Sequence, residues 1–224
     1  MNLFKSKELK KFEKMSFESY SQDGEDMIIR SFYETNPDYK GFYIDIGAYH
    51  PFRFSNTMFF YKSGWRGINI EPSPNAIELF HKYRPEDINL NMGISDETSN
   101  LTFYCFNEPA LNSFSKQLSY ERNNKNGYFI NNEISVDVFP LSDVLNKYLG
   151  QNQAIDFINI DVEGLDINVL RSNDWNKYSP KYLLVESISD NIENILQEEI
   201  YKFLKEKNYQ LISKTLRTLI FKKQ

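Results

Sequence analysis

The sequence predicts an α/β protein: a doubly wound, mostly parallel sheet closed at one edge by an antiparallel C-terminal hairpin. Three observations lead there. Five short apolar segments, at 42–46, 67–71, 88–92, 156–161 and 182–186, each end near a polar residue or glycine, as buried strands do. Helical patterns separate several of them, and a strand that returns parallel to its predecessor needs such a long crossover. The tail "YQLISKTLRTLIFKK" instead reads as two strands around a tight turn near 214–217, which pair antiparallel.

The elements follow in order. A helical stretch at 26–34 precedes the first strand, Phe42–Ile46. "SNTMFFYKS" (55–63) is helical and opens on a Ser/Asn cap. Pro74–Tyr83 carries Pro in its first turn, where its missing N–H costs nothing. Residues 141–149 form a helix that Ser142 is expected to cap, and a helix over 192–207 follows the fifth strand. Residues 96–140 fit the alternation poorly. "LTFYCF" and "ISVDVF" read as strands flanking a long polar loop, with "ERNNKNG" its exposed part. No repeat or low-complexity linker divides the chain, so we expect one domain over 1–224, with a helical extension at 1–35 and an insertion at about 96–140.

Composition narrows the function. Hydrophobic residues make up 41% of the 224, enough for a sizeable core. A net charge of −5 disfavours a broad nucleic-acid-binding face. No apolar run approaches the ~20 residues of a membrane span, and no signal peptide is evident. The single cysteine, Cys105, suits a reducing compartment, so a cytoplasmic location is expected. Lys5, Lys7, Lys10, Lys11 and Lys14 stand among Leu3, Phe4, Leu9 and Phe12; this stretch is a solvated helical extension or a weak basic amphipathic helix.

Ligands of such sheets bind outside the carboxyl ends of the strands, where strand order reverses. The first strand ends at Asp45 and runs into "IGAYHP"; Gly47 would let the backbone approach a ligand. The second ends at Glu71, placed to accept hydrogen bonds from a ribose diol, and Pro72 stiffens the loop after it. The third ends "NLNMGIS", the fourth brings Asp161 and Glu163, and the fifth ends at Glu186. The G-x-G-x-x-G fingerprint is absent, since Tyr49, His50 and Phe52 follow Gly47, and there is no P-loop. An acid for ribose without a cradle for phosphate suits S-adenosylmethionine.

The chain resembles the FkbM-type S-adenosylmethionine-dependent methyltransferases. The resemblance runs through "YSQDGEDMII" (20–29), "YIDIGAYHPFRFSNTMFFYKSGWRGINIEPSP" (43–74), "RPEDINLNMGIS" (84–95), "EPALNSF" (108–114), "DFINIDVEGLDINVL" (156–170) and "PKYLLVES" (180–187). It implies a seven-stranded, Rossmann-like class I methyltransferase fold and O-methylation of a small molecule, often a sugar. It places Asp45, Gly47 and Ala48 at the methionine end of the cofactor and Glu71 with Pro72 at the ribose. Gly93, Ile94 and Ser95 fall near adenine, and Asp161 and Glu163 at the reaction centre. Gln22 and Glu25 belong to the motif "SQDGED", without an assigned contact.

A hydroxyl acceptor must lose its proton, so a base or a metal is required. His50, Asp161 and Glu163 are the catalytic candidates. Tyr49, His50, Glu108, Asn112 and Glu186 are the candidates for acceptor contact. Asp161 with Glu186, joined by Glu163 or His50, would hold Mg²⁺ or Mn²⁺ on oxygen ligands. The expected partner is a small acceptor, a sugar or nucleotide sugar of a surface polysaccharide or capsule. Methylation of an amine or a phosphate-linked group, and a non-catalytic scaffold, are the alternatives. The sequence leaves the oligomeric state open.

Overall fold

The structure, a computed structural model, describes residues 16–187, 189 and 191–224; the lysine-rich stretch at 1–15 lies outside the described residues. The described elements run α1 (Glu25–Ser31), β1 (Phe42–Ile46), α2 (Met58–Lys62), β2 (Arg66–Ile70), α3 (Pro74–Tyr83), β3 (Ile88–Leu90), β4 (Gly93–Ile94) and β5 (Ser99–Phe106). They continue with a 3₁₀ turn (Pro109–Leu111), α4 (Lys116–Arg122), β6 (Ile130–Phe139), α5 (Leu141–Tyr148), β7 (Phe157–Ile160) and α6 (Asp166–Arg171). Last come β8 (Tyr182–Glu186), α7 (Ile192–Ile195), α8 (Glu199–Glu206), β9 (Tyr209–Lys214) and β10 (Thr218–Lys223).

Seven strands form the main sheet in the order β3-β2-β1-β7-β8-β10-β9. The pairs β1–β2, β2–β3, β1–β7 and β7–β8 are parallel, and β10 pairs antiparallel with both β8 and β9. The predicted hairpin is therefore present, with β10 inserted beside β8. Strand order reverses between β1 and β7, which is where such a sheet opens a crevice. Among the described residues no helix is long and apolar enough to cross a membrane.

Strand side chains alternate between faces. Ile44, Ile46, Ile68, Ile70, Ile158, Ile160, Leu183 and Val185 pack on one face with α5, α6 and α8. Tyr43, Phe157, Tyr182 and Leu184 pack on the other with Ile29 of α1, Phe60 of α2 and Trp65. Asp45 shares its parity with Tyr43, so its carboxyl points to this second face, in register with Asn69 and Asn159.

Three local expectations change. Ser142 does not cap α5: the Leu141 N–H reaches Ser172 Oγ at 3.0 Å, so the cap comes from the end of α6. The helix over 192–207 is two pieces, α7 and α8. The 96–140 insertion is more ordered than a polar loop. Its two strands pair antiparallel, β4 adds to β6 in parallel, and α4, capped by Ser115 at 3.3 Å, lies between them.

Candidate active site

A cleft opens across the carboxyl ends of β2, β1 and β7. Its floor is the turn after β1. The Gly47 and Ala48 N–H groups both donate to Ile70 O, at 3.0 and 3.2 Å, and Asp161 N–H donates to Ile46 O at 3.0 Å. These bonds bring the tips of three strands together. Gly47 has φ +77°, and a Cβ there would sit 1.8 Å from the Asp161 carbonyl oxygen. The glycine is thus required by the neighbouring β7 loop, in addition to any room it leaves for a ligand.

Glu71 stands just beyond β2, almost fully buried, and lines the cleft. Its Oε2 accepts the Tyr49 N–H at 2.8 Å and its Oε1 the Ser73 N–H at 2.8 Å. Burial pushes its pKa up to about 7, against the pull of those two N–H donors. Pro72, Met92, Gly93 and Ile94 continue the wall on this side. Asn91 turns away to bond the Glu71 and Pro72 carbonyls at 2.9 and 3.0 Å. Ser95 does not join the cleft lining; its hydroxyl donates to Asp96 at 3.1 Å.

Asp161, Val162 and Glu163 form the opposite wall. The Asp166 carboxylate shapes this loop by accepting the Val162 and Gly164 N–H groups, both at 3.2 Å. Glu163 is left-handed at φ 54°, a costly conformation held by this tie and by Ser113, whose hydroxyl donates to its carbonyl at 2.7 Å. Arg122 of α4 pairs with the Glu163 carboxylate at 2.6 Å. One carboxylate oxygen each of Asp161, Glu163 and Glu186 lie within 4.8 Å of one another. Asp161 is accessible to solvent through the cleft, yet protein surrounds it on its other sides. That confinement, then Glu186, Glu163 and Asp166, push its pKa well above the usual carboxylate range. Burial and the charge of Glu163 push Glu186 up to about 8.

His50 is not brought to the cleft lining. Its Nδ1 accepts the Phe52 and Arg53 N–H groups at 3.1 and 3.0 Å, so the imidazole caps the turn after Pro51. Partial burial and the Arg53 and Arg84 charges push its pKa down. Glu108 is not in the lining either. It forms a two-point ion pair with Arg53, at 2.9 and 3.2 Å, and caps the 3₁₀ turn. That clasp joins the insertion to the loop carrying Tyr49, which does line the cleft, as does Asn112. The Asn112 Oδ1 is taken by the Phe106 N–H at 2.7 Å.

Some cleft residues had no signal in the sequence, and Gln22 and Glu25 had only a motif without an assigned contact. Arg217 and Thr218, at the start of β10, reach the cleft because β10 lies beside β8. Gln22, Asp23 and Glu25 meet them from the N-terminal side. Asp23 accepts both of its hydrogen bonds from Arg217 Nη1 at 2.9 Å, and Glu25 Oε1 accepts from Thr215 and Thr218 at 2.6 and 3.2 Å.

The sequence matches the profile of the "Methyltransferase FkbM domain" over residues 45–211, three quarters of its length. The chain belongs to the FkbM methyltransferase family. That match spans the turn after β1, the Glu71 loop and the Asp161 loop. No curated protein matches. Among solved structures, a candidate caffeoyl-CoA O-methyltransferase from Staphylococcus aureus aligns at TM-score 0.46 and 10% identity, covering 96% of this chain and 90% of that one. The precorrin-6y C5,15-methyltransferase of Geobacter metallireducens aligns at 0.40 and 9%, covering 89% and 87%. A methyltransferase from Geobacter sulfurreducens aligns at 0.40 and 9%, covering 98% and 97%. In this FkbM protein the sheet has a parallel core and an antiparallel edge.

Proposed function

We propose that this FkbM protein methylates an oxygen of a small polar acceptor, most simply a sugar hydroxyl in surface polysaccharide synthesis, using S-adenosylmethionine. The observation that carries the reading is Glu71: a buried carboxylate at the tip of β2, beside the Gly47 turn, in a sequence without the G-x-G-x-x-G phosphate fingerprint. Each Glu71 oxygen uses one lone pair on a backbone N–H and keeps another for a ribose hydroxyl. Met92, Gly93 and Ile94 offer an apolar wall to a base, and the Gly47–Ala48 turn supports the amino-acid end. When bound, the cofactor supplies a methyl group on a sulfonium, open to in-line displacement by the acceptor oxygen.

Asp161 takes the acceptor proton in this reading. It lines the cleft beside the Gly47 turn, against which its loop packs, whereas His50 is spent on the turn after Pro51. The acceptor side is rich in acid. A second groove opens from Glu163 past Glu186 and Glu198, while Arg122 and Arg217 are already paired with carboxylates. This supports a neutral sugar more than one presenting a pyrophosphate. The single cysteine supports a reducing, cytoplasmic setting.

A second reading is favoured by the carboxylate triad. Asp161, Glu163 and Glu186 would hold Mg²⁺ or Mn²⁺, since three hard oxygen donors fit such ions and the cation would relieve their mutual repulsion. It would lower the pKa of the acceptor hydroxyl. Calorimetric titration with S-adenosylmethionine, followed by turnover with labelled cofactor over a panel of sugars, tests the proposal. Absence of cofactor binding would sink it. Label on nitrogen would move the reaction to an amine, and binding without any turnover would favour a scaffold.

A further inference from the structure

Arg84, at the end of α3, is fully buried, and among the described residues it has no carboxylate within ion-pair distance. A guanidinium so placed is costly unless its charge is used. Its Nη1 donates to Thr57 Oγ1 at 2.7 Å, and its Nη2 to Ser55 Oγ at 2.7 Å and to the Pro51 carbonyl. Thr57 Oγ1 in turn donates to Asp45 Oδ2 at 2.7 Å.

The direction of this relay is fixed by chemistry. Arginine can only donate, so Thr57 must accept from it, and the single hydroxyl proton is left for Asp45. A second relay arrives from the other side. Asn56 Nδ2 donates to Asn159 Oδ1 at 2.8 Å, which turns the Asn159 amide so that its NH₂ donates to Asp45 Oδ1 at 2.9 Å. Both Asp45 oxygens therefore face donors, which holds the group as an anion in one rotamer on the cleft floor. Burial alone pushes the Asp45 pKa up, and these donors, with the Arg84 charge, oppose it.

We propose that Arg84 is a positioning residue that acts through Thr57 to hold Asp45 as an oriented carboxylate under the amino-acid end of the cofactor. This rests on the reading of the cleft as an S-adenosylmethionine site. Asp45 itself lies at the surface of the cleft, whereas Arg84 and Thr57 do not. The relay also anchors loop 51–57, because Ser55 Oγ accepts the Met58 N–H at 3.1 Å and starts α2.

The test compares Thr57→Val, Thr57→Ser and Arg84→Met for cofactor affinity by calorimetry and for thermal stability. Valine keeps the shape and loses the hydroxyl; serine keeps the hydroxyl. Thr57→Val is expected to weaken binding about tenfold, the size of a hydrogen bond to a charged group. Thr57→Ser should bind within about twofold of the wild type by the same argument, although it loses a buried methyl and melts lower. Arg84→Met should follow Thr57→Val; if it does not fold, the Thr57 pair decides. Affinity that follows the hydroxyl and not the melting temperature supports the proposal. Affinity that follows melting temperature across the variants, or that stays unchanged in Thr57→Val, overturns it. A wild type that binds no cofactor overturns the site reading as well, and is seen in the first titration.

Discussion

Tyr49 and Glu71 are joined across the tips of β1 and β2, with the Tyr49 N–H donating to Glu71 Oε2 at 2.8 Å. Tyr49 makes this bond from a left-handed backbone, φ 55°, which a tyrosine adopts only at a cost. The same turn carries Gly47, so the bond couples the placement of the acid to the shape of the floor. Ser73 binds the other oxygen, and the carboxylate is fixed before any ligand arrives.

That fixation makes Glu71→Gln a sharp test. Glutamine has one oxygen and one NH₂, so it can satisfy only one of the two backbone donors, and it loses the charge that strengthens a ribose contact. S-adenosylmethionine affinity should fall by roughly 10- to 100-fold. Glu71 has its pKa raised to about 7 from 4.5, so the protein gains from its protonation at low pH and loses that stability as pH rises from about 4.5 through 7. A diol donates to the ionised form. Wild-type affinity should therefore rise with pH through about 7, and Glu71→Gln should lose that rise. Parallel pH profiles for the two proteins would refute the assignment.

Much of this site was legible because its acids fall at strand ends, and strand ends are marked by β-branched runs meeting polar residues. Glu71, Asp45 and Asp161 emerge that way. His50 misled because a histidine beside a glycine turn looks exposed to ligand, while its real partners are two backbone N–H groups further along the chain. Arg217 was invisible because only the insertion of β10 beside β8 brings a C-terminal residue to this edge. Helix α4 was missed because "KQLSYER" has too few apolar positions to show a helical face. Arg84 sits where a helix-ending cation would be solvated, and loop 51–57 together with the Tyr61 and Phe80 rings packs over it.

Gly47→Ala should destabilise the fold as well as the site. The new Cβ would lie 1.8 Å from the Asp161 carbonyl, a backbone atom held by its own strand, and the residue would keep φ near +77°. The left-handed conformation alone costs about 1–2 kcal/mol, so a loss of at least about 2 kcal/mol is expected in denaturant unfolding. An alanine variant as stable as the wild type would mean that the turn after β1 is not as described.

Metal dependence is decided by chelation. If the triad holds Mg²⁺ or Mn²⁺, treatment with EDTA should lower turnover at least about tenfold and either ion should restore it. Glu186→Gln should then weaken Mn²⁺ binding measured directly by calorimetry, with cofactor affinity little changed. Full activity in EDTA leaves Asp161 to act as the base without a cation.

Acceptor charge gives the last prediction. In the proposed reading Asp161, Glu163 and Glu186 face the acceptor, and Arg122 and Arg217 beside them are each engaged by a carboxylate at 2.6 and 2.9 Å. A sugar carrying a diphosphate must bring its charge into this field, whereas a neutral sugar with the same hydroxyls does not. The neutral acceptor should show the lower KM at low ionic strength, and the gap should narrow as salt shortens the screening length to about 8 Å near physiological strength. Exposed charges are screened first, so a gap that persists in high salt would locate the repulsion deep in the groove, at the triad. A nucleotide sugar that is favoured at every salt concentration would instead require a cation bound among these carboxylates, which ties this measurement to the chelation experiment.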